Sequence, residues 1–346
     1  MVCARLPARF RTPNQESAAR KPSKGAWNSE PEVCGLNAPA SGLAHISLIP
    51  RCKEATLTVT VVICTRHRPK VLRECLRGVA RLDIRPDQVL VVDNTHGGKE
   101  TADVSREFDA RYVSEPIEGL SRARNRGLAE SDTDIVAFLD DDAVPAPDWL
   151  GILMEPFADE KTAASTGRVV TPSCNGTDRL EIPRILSNQD PHWFEIATFG
   201  GMGLGSNMAL RKSACTTPTL FDVRLGRGAP FQIGEESYAF ARLLSDGYKA
   251  VYLPSAVVFH PPLSRDTVEN EAQNSITYWL LLFTEFPDQR MNLLRFIFHR
   301  IQGKPLDWPR DSQEPGEIVT SGWRILFKAS VKGLWLFLRT PKPKNK

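Results

Sequence analysis

Residues 135–142 have the sequence Ile-Val-Ala-Phe-Leu-Asp-Asp-Asp, an apolar run that ends in three consecutive acids. A continuous apolar run of this length is typical of a strand that is buried on both faces of a parallel sheet. Two earlier runs have the same form. Residues 56–64 end at a polar segment that begins with Thr65, and residues 88–92 end at Asp93. This repetition predicts an α/β fold.

Helical patterns separate these runs. Pro69 suits the first turn of a helix, and apolar residues follow it at helical spacing as far as Val79. A short strand at residues 111–113 precedes a second helical pattern at residues 120–129. We therefore predict a Rossmann-like, mostly parallel sheet flanked by helices. Ligands bind such sheets beyond the carboxyl ends of the strands, where the acids that follow the strands would converge.

The pattern is less regular after residue 160. It predicts a strand at residues 165–170 and a helix that begins near Gly234 and ends at Asp246-Gly247. Two short strands are predicted after this helix, at residues 249–253 and 256–259. The remainder alternates aromatic clusters with basic residues, which is typical of amphipathic helices.

The formal net charge of +3 conceals a segregation of charge along the chain. Residues 1–55 carry 8 basic and 4 acidic side chains, residues 56–289 carry 24 and 33, and residues 290–346 carry 12 and 4. The acidic centre suits a cation, and the basic ends suit an anionic surface such as a membrane. The acidic centre also argues against nucleic acid as a partner.

The cysteines and the amino-terminal sequence indicate the cellular compartment in which the protein is expected to function. The chain has 7 cysteines, an odd number without Cys-x-x-Cys spacing, so neither a disulfide framework nor a zinc site is predicted. The amino-terminal bases are not followed by an apolar signal segment, and no apolar run is long enough to cross a bilayer. We expect a cytoplasmic protein, either in solution or peripheral on the inner face of the cell membrane.

The three aspartates are the strongest candidate site. Adjacent carboxylates repel one another unless a cation compensates, and Mg²⁺ or Mn²⁺ binds carboxylate oxygens while keeping positions open for phosphate. The alternative is a solvated acidic turn before a helix at residues 147–153. Asp93 is either an acceptor for a base or ribose, or part of an Asx-turn. His260 is a metal ligand, a contact for the diphosphate or an ordinary loop histidine.

A set of motifs, taken in order, resembles the inverting family 2 glycosyltransferases, which have the GT-A fold. The motifs are Val61-Val62-Ile63-Cys64-Thr65-Arg66, Val91-Val92-Asp93-Asn94, Gly119-Leu120-Ser121-Arg122-Ala123-Arg124-Asn125-Arg126-Gly127, Phe138-Leu139-Asp140-Asp141-Asp142, Gly234-Glu235-Glu236 and Val257-Val258-Phe259-His260. No single motif is decisive, but the ordered set spans roughly residues 57–262.

The resemblance implies an activity and roles for residues. It implies transfer of a sugar from a nucleotide-sugar donor to a saccharide, a lipid-linked acceptor or another hydroxyl, with Mn²⁺ or Mg²⁺ as cofactor, in polysaccharide or glycoconjugate synthesis. In the donor site, Thr65 and Arg66 would flank the nucleotide, Asp93 would contact its base, Asp140 its ribose, and Asp142 and His260 the metal, with Asp141 as the spacer of the triplet.

Inverting transfer needs one base that accepts the proton of the acceptor hydroxyl, and Glu236 is our candidate. The family usually has Glu-Asp here, with the second acid as base. This sequence has Glu235-Glu236, so either the hydroxyl lies slightly farther away or the register is shifted by one residue. Both acids also suit the first turn of a helix by the macrodipole argument.

Two further groups are candidate contacts. On the predicted helix at 120–129, Arg122, Arg124 and Arg126 bracket Asn125, and one or two of these arginines are expected to reach the donor diphosphate, because a helix N-terminus attracts anions; solvated arginines are the alternative. Arg122 and Asn125 are the predicted contacts with the nucleotide-sugar. The stretch Gly203 to Leu210 resembles the acceptor-side strand of the family, or is a flexible hairpin. The predicted acceptor contacts are Gly205, Asn207, Glu235 and Trp193, the last of which is otherwise core.

We divide the chain accordingly. Residues 1–55 are expected to be a disordered basic tail, residues 56–265 a GT-A catalytic domain with a nucleotide-binding half (56–160) and an acceptor half (161–265), and residues 266–346 a basic, aromatic helical extension that lies on a membrane or packs on the domain.

Two other functions remain open. A metal-dependent nucleotidyltransferase would normally have a glycine-rich and lysine-rich phosphate loop, which is absent here. A non-enzymatic protein that binds anionic surfaces would use the basic ends.

Overall fold

In a computed structural model of the chain, we describe residues 57–171, 182–215, 219–262, 267–301 and 323–343. The predicted tail at 1–55 lies outside the described residues. The amino-terminal half consists of β1 (Val59–Thr65), α1 (Pro69–Val79), β2 (Gln88–Asp93), α2 (Lys99–Glu107), β3 (Arg111–Ser114), α3 (Leu120–Glu130) and β4 (Ile135–Asp140). Its four strands are parallel and lie in the order β3-β2-β1-β4. The predicted alternation of strands and helices is confirmed, with α2 as an addition.

The second half adds antiparallel strands to the same sheet. Its elements are β5 (Val144–Pro145), α4 (Trp149–Met154), β6 (Thr162–Val170), β7 (Arg184–Ser187), α5 (Trp193–Thr198), β8 (Asn207–Arg211), α6 (Glu235–Ser245) and β9 (Lys249–Phe259). Among the described residues, the strand order continues β4-β8-β6-β9-β5, and β7 pairs with the first part of β9. β8 is antiparallel to both β4 and β6. The α/β fold is confirmed, and its parallel character is strongest in the first half.

The two short strands predicted at 249–253 and 256–259 are in fact one strand, β9. Its pairing with β6 shifts register at one point, where Gly167 lies opposite Leu253 and the next residue, Arg168, lies opposite Val257. Pro254 falls in this bulge, and proline donates no backbone hydrogen bond to a sheet. The proline therefore interrupts the sequence pattern without ending the strand.

Both faces of the sheet are buried, as continuous apolar strands require. Along β1, Val62 belongs to one hydrophobic cluster, which includes Phe138 and Tyr278, whereas Ile63 belongs to the cluster on the other face, which includes Trp149. The carboxyl ends of β1 and β4 lie side by side, since Cys64 pairs with Asp140. The fold thus brings the polar segment after β1 next to the aspartates after β4.

The carboxyl-terminal part is helical where it is described, with α7 (Val268–Glu285), α8 (Arg290–Ile301) and α9 (Trp323–Arg339). Helix α7 contributes to the main core through Tyr278, whose hydroxyl donates to the carbonyl oxygen of Thr198 at 3.3 Å. Helix α9 packs on α7 at Gly333, where a Cβ atom would lie 3.0 Å from Ile276. Among the described residues, no helix has the length and apolar character needed to span a bilayer.

Candidate active site

A cavity of about 440 Å³ lies at the carboxyl ends of β1 and β4 and extends to the beginning of α6. Most of the predicted site residues line it, namely Thr65, Arg66, Asp140, Asp141, Asp142, Gly205, Glu235, Glu236 and His260. Cavities at this edge of α/β sheets are the usual position for ligands. The sequence motifs therefore converge on one site.

Asp141 is held inside the protein wall. Its carboxylate accepts hydrogen bonds from Thr65 Oγ1 at 2.6 Å and from Arg68 Nε at 3.0 Å, and Arg68 Nη2 forms a further ion pair with it. Burial raises the pKa of Asp141 to about 6, against the opposing effect of Thr65 and Arg68. The middle acid of the triplet is therefore more than a spacer, because it fixes Arg68 and the end of β1.

Asp140, Asp142 and His260 form a candidate metal centre. One ligand atom from each of the three residues lies within 4.8 Å of the others. His260 Nδ1 is 2.6 Å from the carbonyl oxygen of Pro261, which can only accept, so this nitrogen carries the proton and Nε2 faces Asp142 Oδ1 at 3.0 Å. Two carboxylates and an imidazole suit Mn²⁺ or Mg²⁺, and the donor set therefore fits the ion.

Neighbouring charges shift the pKa values of Asp142 and His260 in opposite directions. Burial opposes ionisation of Asp142, but the contacts with His260 and Arg68 outweigh it and lower the pKa of Asp142 to about 2. Burial also favours neutral His260, yet its hydrogen bond with Asp142 raises the pKa of this imidazole. Metal ligation by His260 would require its neutral imidazole, so a cation would compete with a proton at this residue.

Arg124 bonds acids at both ends of the cavity, one at the end of β4 and one at the beginning of α6. Its guanidinium is buried and donates to Glu235 Oε1 at 2.8 Å and to Asp140 Oδ1 at 3.4 Å. Gly205 lies directly against it, since a Cβ atom at this position would be 2.7 Å from Arg124 Nη2. Gly205 therefore leaves room for the arginine.

Glu236 differs from Glu235 although the two are adjacent. Glu235 is buried and bonded to Arg124, whereas Glu236 is half-buried and lines the cavity at the first turn of α6. Burial and the neighbouring carboxylate of Glu235 raise the pKa of Glu236, and Arg124 opposes this only in part. A carboxylate with a raised pKa is suited to accept a proton near neutral pH.

Two further arginines lie at the wall of the cavity. Arg66 forms an ion pair with Glu118. Arg227 is exposed, and its backbone oxygen accepts from the N–H of Leu120 at 2.9 Å, which ties its loop to the beginning of α3. An arginine whose backbone lies beside a helix N-terminus is a favourable contact for phosphate.

Asp93 lies away from the cavity. It is fully buried, and its carboxylate accepts from Thr95 Oγ1 at 2.8 Å, from Tyr112 Oη at 2.9 Å and from the backbone N–H of Gly98 at 3.0 Å. The neighbouring Asn94 does line the cavity, where it bonds the backbone of Glu115, Ile117 and Gly119. In this structure, Asp93 therefore shapes the loop after β2, as the turn alternative describes.

Four other predicted contacts also lie outside the cavity lining. Asn125 bonds both the N–H and the carbonyl of Phe221, and Asn207 binds Trp149 Nε1 and the carbonyls of Arg168 and Ala256. Trp193 packs against the core next to Phe194. Arg122 is partly exposed on α3. Buried amides that bond backbone groups are structural, so the positions of Asn125 and Asn207 correct the predicted ligand contacts.

Sequence reasoning did not assign a site role to Arg68 or Arg227, and it gave Arg124 only as one of three arginines of which one or two would reach the donor diphosphate. Arg68 stands in the polar segment after β1, where its distance from the aspartates cannot be inferred from spacing. On α3, Arg124 lies on a different face from Arg122 and Arg126, and it is buried together with the neighbouring Ala123. A buried arginine needs an acidic partner. The position of Arg124 on the buried face of the helix was therefore the signal that could have predicted an ion pair at this position.

Comparisons with known proteins identify a family for this chain. Residues 60–216 match the family model described as glycosyl transferase family 2. The succinoglycan biosynthesis protein ExoM of Rhizobium meliloti is 31% identical over 223 residues, covering 60% of this chain and 67% of that protein. The pre-mycofactocin glycosyltransferase of Mycobacterium tuberculosis is 29% identical over 217 residues, covering 58% of this chain but only 42% of its own length.

Solved structures share the fold. A mannosyltransferase from Pyrobaculum calidifontis, solved with GDP-Man and Mn²⁺, has a TM-score of 0.53 at 16% identity, with 83% of this chain and 77% of that chain covered. The protein TarS of S. aureus has a TM-score of 0.52 at 14% identity, with 81% of this chain and 54% of that chain covered. At these identities the likeness concerns the fold, which is the predicted GT-A fold.

Proposed function

Because the chain belongs to glycosyltransferase family 2, we propose that it transfers a sugar from a nucleotide-sugar donor to an acceptor hydroxyl, with inversion and with Mn²⁺ or Mg²⁺. The observation that carries this proposal is the cavity itself, which has a candidate metal centre on one side and a half-buried glutamate on the other. A metal-dependent sugar transfer needs both groups at one site.

The donor side is built around the cluster of Asp140, Asp142 and His260. These residues would hold the divalent cation, which neutralises the developing charge on the departing nucleoside diphosphate. Arg227 lines the cavity, and its backbone is tied to the beginning of α3, which makes it a candidate contact for the same diphosphate. Asp141 and Thr65 keep the ends of β4 and β1 together, so the ligands stay in place when the donor leaves.

On the acceptor side, Glu236 is the proposed base. Arg124 forms an ion pair with Glu235, whereas burial and the Glu235 carboxylate raise the pKa of Glu236, which favours Glu236 as the group that takes the proton of the attacking hydroxyl. Attack from the face opposite the diphosphate forms the bond to the acceptor oxygen while the bond from the anomeric carbon to the diphosphate oxygen breaks. The anomeric configuration is inverted.

The class of product follows from the relatives. A protein of succinoglycan biosynthesis is among them, and we propose that this chain also acts in polysaccharide or glycoconjugate synthesis, on a saccharide, a lipid-linked acceptor or another hydroxyl. The archaeal mannosyltransferase was solved with GDP-Man and Mn²⁺, which makes a hexose a reasonable first donor to test.

Calorimetry with nucleotides tests the donor site. UDP, GDP, dTDP and CDP are titrated into the protein with Mn²⁺ and again with excess chelator. We expect one nucleotide to bind only with the metal, and Asp142→Ala to lose that binding, because a carboxylate ligand is removed. The control is Asp148→Ala, an exposed aspartate that lies outside the cavity lining. If Asp142→Ala bound the nucleotide as the parent does, the assigned metal centre would be wrong.

A further inference from the structure

Helix α9 presents a continuous apolar face to solvent. Its exposed apolar side chains are Phe327 (66% exposed), Val331 (54%), Leu334 (46%), Trp335 (55%) and Leu338 (73%), which we call the α9 outer face. Their spacing of three and four residues places them on one side of the helix. A patch of large apolar side chains on one helix face marks an interaction surface.

The opposite side of α9 packs on the protein. Ala329 is fully buried, Gly333 lies against Ile276 of α7, and the ring of Phe337 stacks on Phe231 with centroids 5.9 Å apart. The helix is therefore already anchored by its inner side. About half or more of each side chain on the α9 outer face lies outside that packing, and the core does not account for its composition.

Basic residues flank the apolar face on one side. Lys328, Lys332 and Arg339 follow one another at helical spacing, and the guanidinium of Arg339 lies 4.3 Å from the ring of Trp335. Both lysines pair with a single acid, Glu269, so a positive charge remains. Residues 321–346 contain seven bases and no acids.

We propose that the α9 outer face docks on an anionic lipid surface, with the helix lying in the plane of the membrane. Apolar side chains with a tryptophan on one face and bases at its border are the composition of interfacial helices, in which the bases meet anionic headgroups. Helix α9 has 17 residues and spans about 25 Å, and its inner side is occupied by α7. It therefore lies on the surface and does not cross it.

Helix α8 shows the same composition. Met291 (69% exposed), Leu294 (47%) and Phe298 (57%) recur at helical spacing, with Arg290 and Arg295 on the same helix. Residues 321–346 contain no acids, so α9 offers only positive charge to a partner, which favours an anionic surface. The proposal does not depend on the transfer reaction.

Vesicle flotation of the full-length protein tests the proposal. The probes are vesicles of phosphatidylcholine alone and of phosphatidylcholine mixed with phosphatidylglycerol. We expect the protein to float with the anionic vesicles and to be released by high salt, since headgroup attraction is screened. Equal and low recovery with both kinds of vesicle would overturn the proposal.

Two double variants separate the apolar contribution. Phe327→Ser with Leu338→Ser removes apolar surface from the α9 outer face, and we expect affinity for anionic vesicles to fall at least tenfold. Ile84→Ser with Ile185→Ser makes the matched change at exposed isoleucines elsewhere (55% and 67% exposed) and should leave flotation unchanged. Circular dichroism verifies that both proteins are folded. Equal losses in the two double variants would contradict an α9 site.

Quenching by brominated phospholipid locates the contact. Trp335 fluorescence should be quenched in the parent, and Trp335→Phe should lose this component while it still floats. The competing occupant is a second copy of the chain. If light scattering showed a dimer without vesicles, and if the Phe327→Ser and Leu338→Ser pair made it monomeric, the α9 outer face would be a subunit interface and the membrane proposal would fail.

Discussion

The cavity contains two groups of adjacent acids, and their main arginine partners differ: Arg68 binds the first group, and Arg124, which also reaches Asp140 at 3.4 Å, binds the second. At the end of β4, Arg68 binds both Asp141 and Asp142, and its side chain is 43% exposed. At the beginning of α6, Arg124 is only 3% exposed and binds Glu235 but not Glu236. The first arginine is accessible to solvent and ligands, whereas the second is fixed inside the protein.

This difference gives the two acid groups different chemistry. At β4 the surrounding cations lower the pKa of Asp142 to about 2, so that the carboxylate stays ionised and is ready for a metal. At α6 the cation satisfies one acid and burial raises the pKa of the other, Glu236. Adjacent acids therefore serve as a cation site or as a proton acceptor according to how their partner arginine is placed.

The largest expected effect concerns Glu236. Replacement by Gln removes the proposed proton acceptor at nearly constant shape, and we expect the rate of sugar transfer to fall about a thousandfold while metal-dependent nucleotide binding stays the same. The measurement is single-turnover transfer together with nucleotide calorimetry. Glu235→Gln is the matched variant. It retains a hydrogen-bond acceptor for Arg124, and we expect a smaller loss. A larger loss for Glu235→Gln would move the base by one residue.

The pH dependence of the parent gives a second readout of the same residue. Glu236 must be ionised to accept a proton, and its raised pKa means that ionisation needs a higher pH than for an ordinary glutamate, whose pKa is about 4.3. The acidic limb of kcat should therefore lie above that value. A rate that stays constant down to pH values near 4.3 would exclude Glu236 as the base.

Much of the donor half could be predicted from the sequence, for a physical reason. Continuous apolar strands followed at once by polar residues identify both the sheet and its ligand edge, and Thr65, Asp142 and His260 meet there as predicted. The role of Asp93 could not be obtained in this way. An acid at a strand end binds either a ligand or its own loop, and only the hydrogen bonds from Tyr112 and Gly98 decide between them.

The acceptor half was harder to predict because its contacts are not local. Asn207 binds Trp149, 58 residues earlier, and Arg124 binds Glu235, 111 residues later. Such pairs leave no periodic signal in the sequence. The bulge in β9 shows the same limit, since Pro254 reads as a strand end although the pairing resumes beyond it.

The next effect in size tests the fixed arginine. Arg124→Met leaves Glu235 buried without its cation, and we expect the free energy of unfolding to fall by about 3 kcal/mol, as is usual when one partner of a buried ion pair is removed. Urea denaturation measures this. Arg126→Met changes an exposed arginine on the same helix and should cost less than about 0.5 kcal/mol. Adding Glu235→Gln to Arg124→Met should recover part of the loss, and no recovery would mean that the pair is not coupled.

The smallest effect tests the accessible arginine. In the absence of nucleotide, Arg68 neutralises the same carboxylate of Asp142 that a metal would use, so Arg68→Gln should raise the affinity for Mn²⁺ alone about fivefold, as expected for a partly exposed charge. Mn²⁺ titration followed by electron paramagnetic resonance measures it. Arg66→Gln is the control, because Arg66 binds Glu118 instead of the aspartates. A lower Mn²⁺ affinity in Arg68→Gln would show that Arg68 orients Asp142 for the ion, and the two arginines would then both be structural supports.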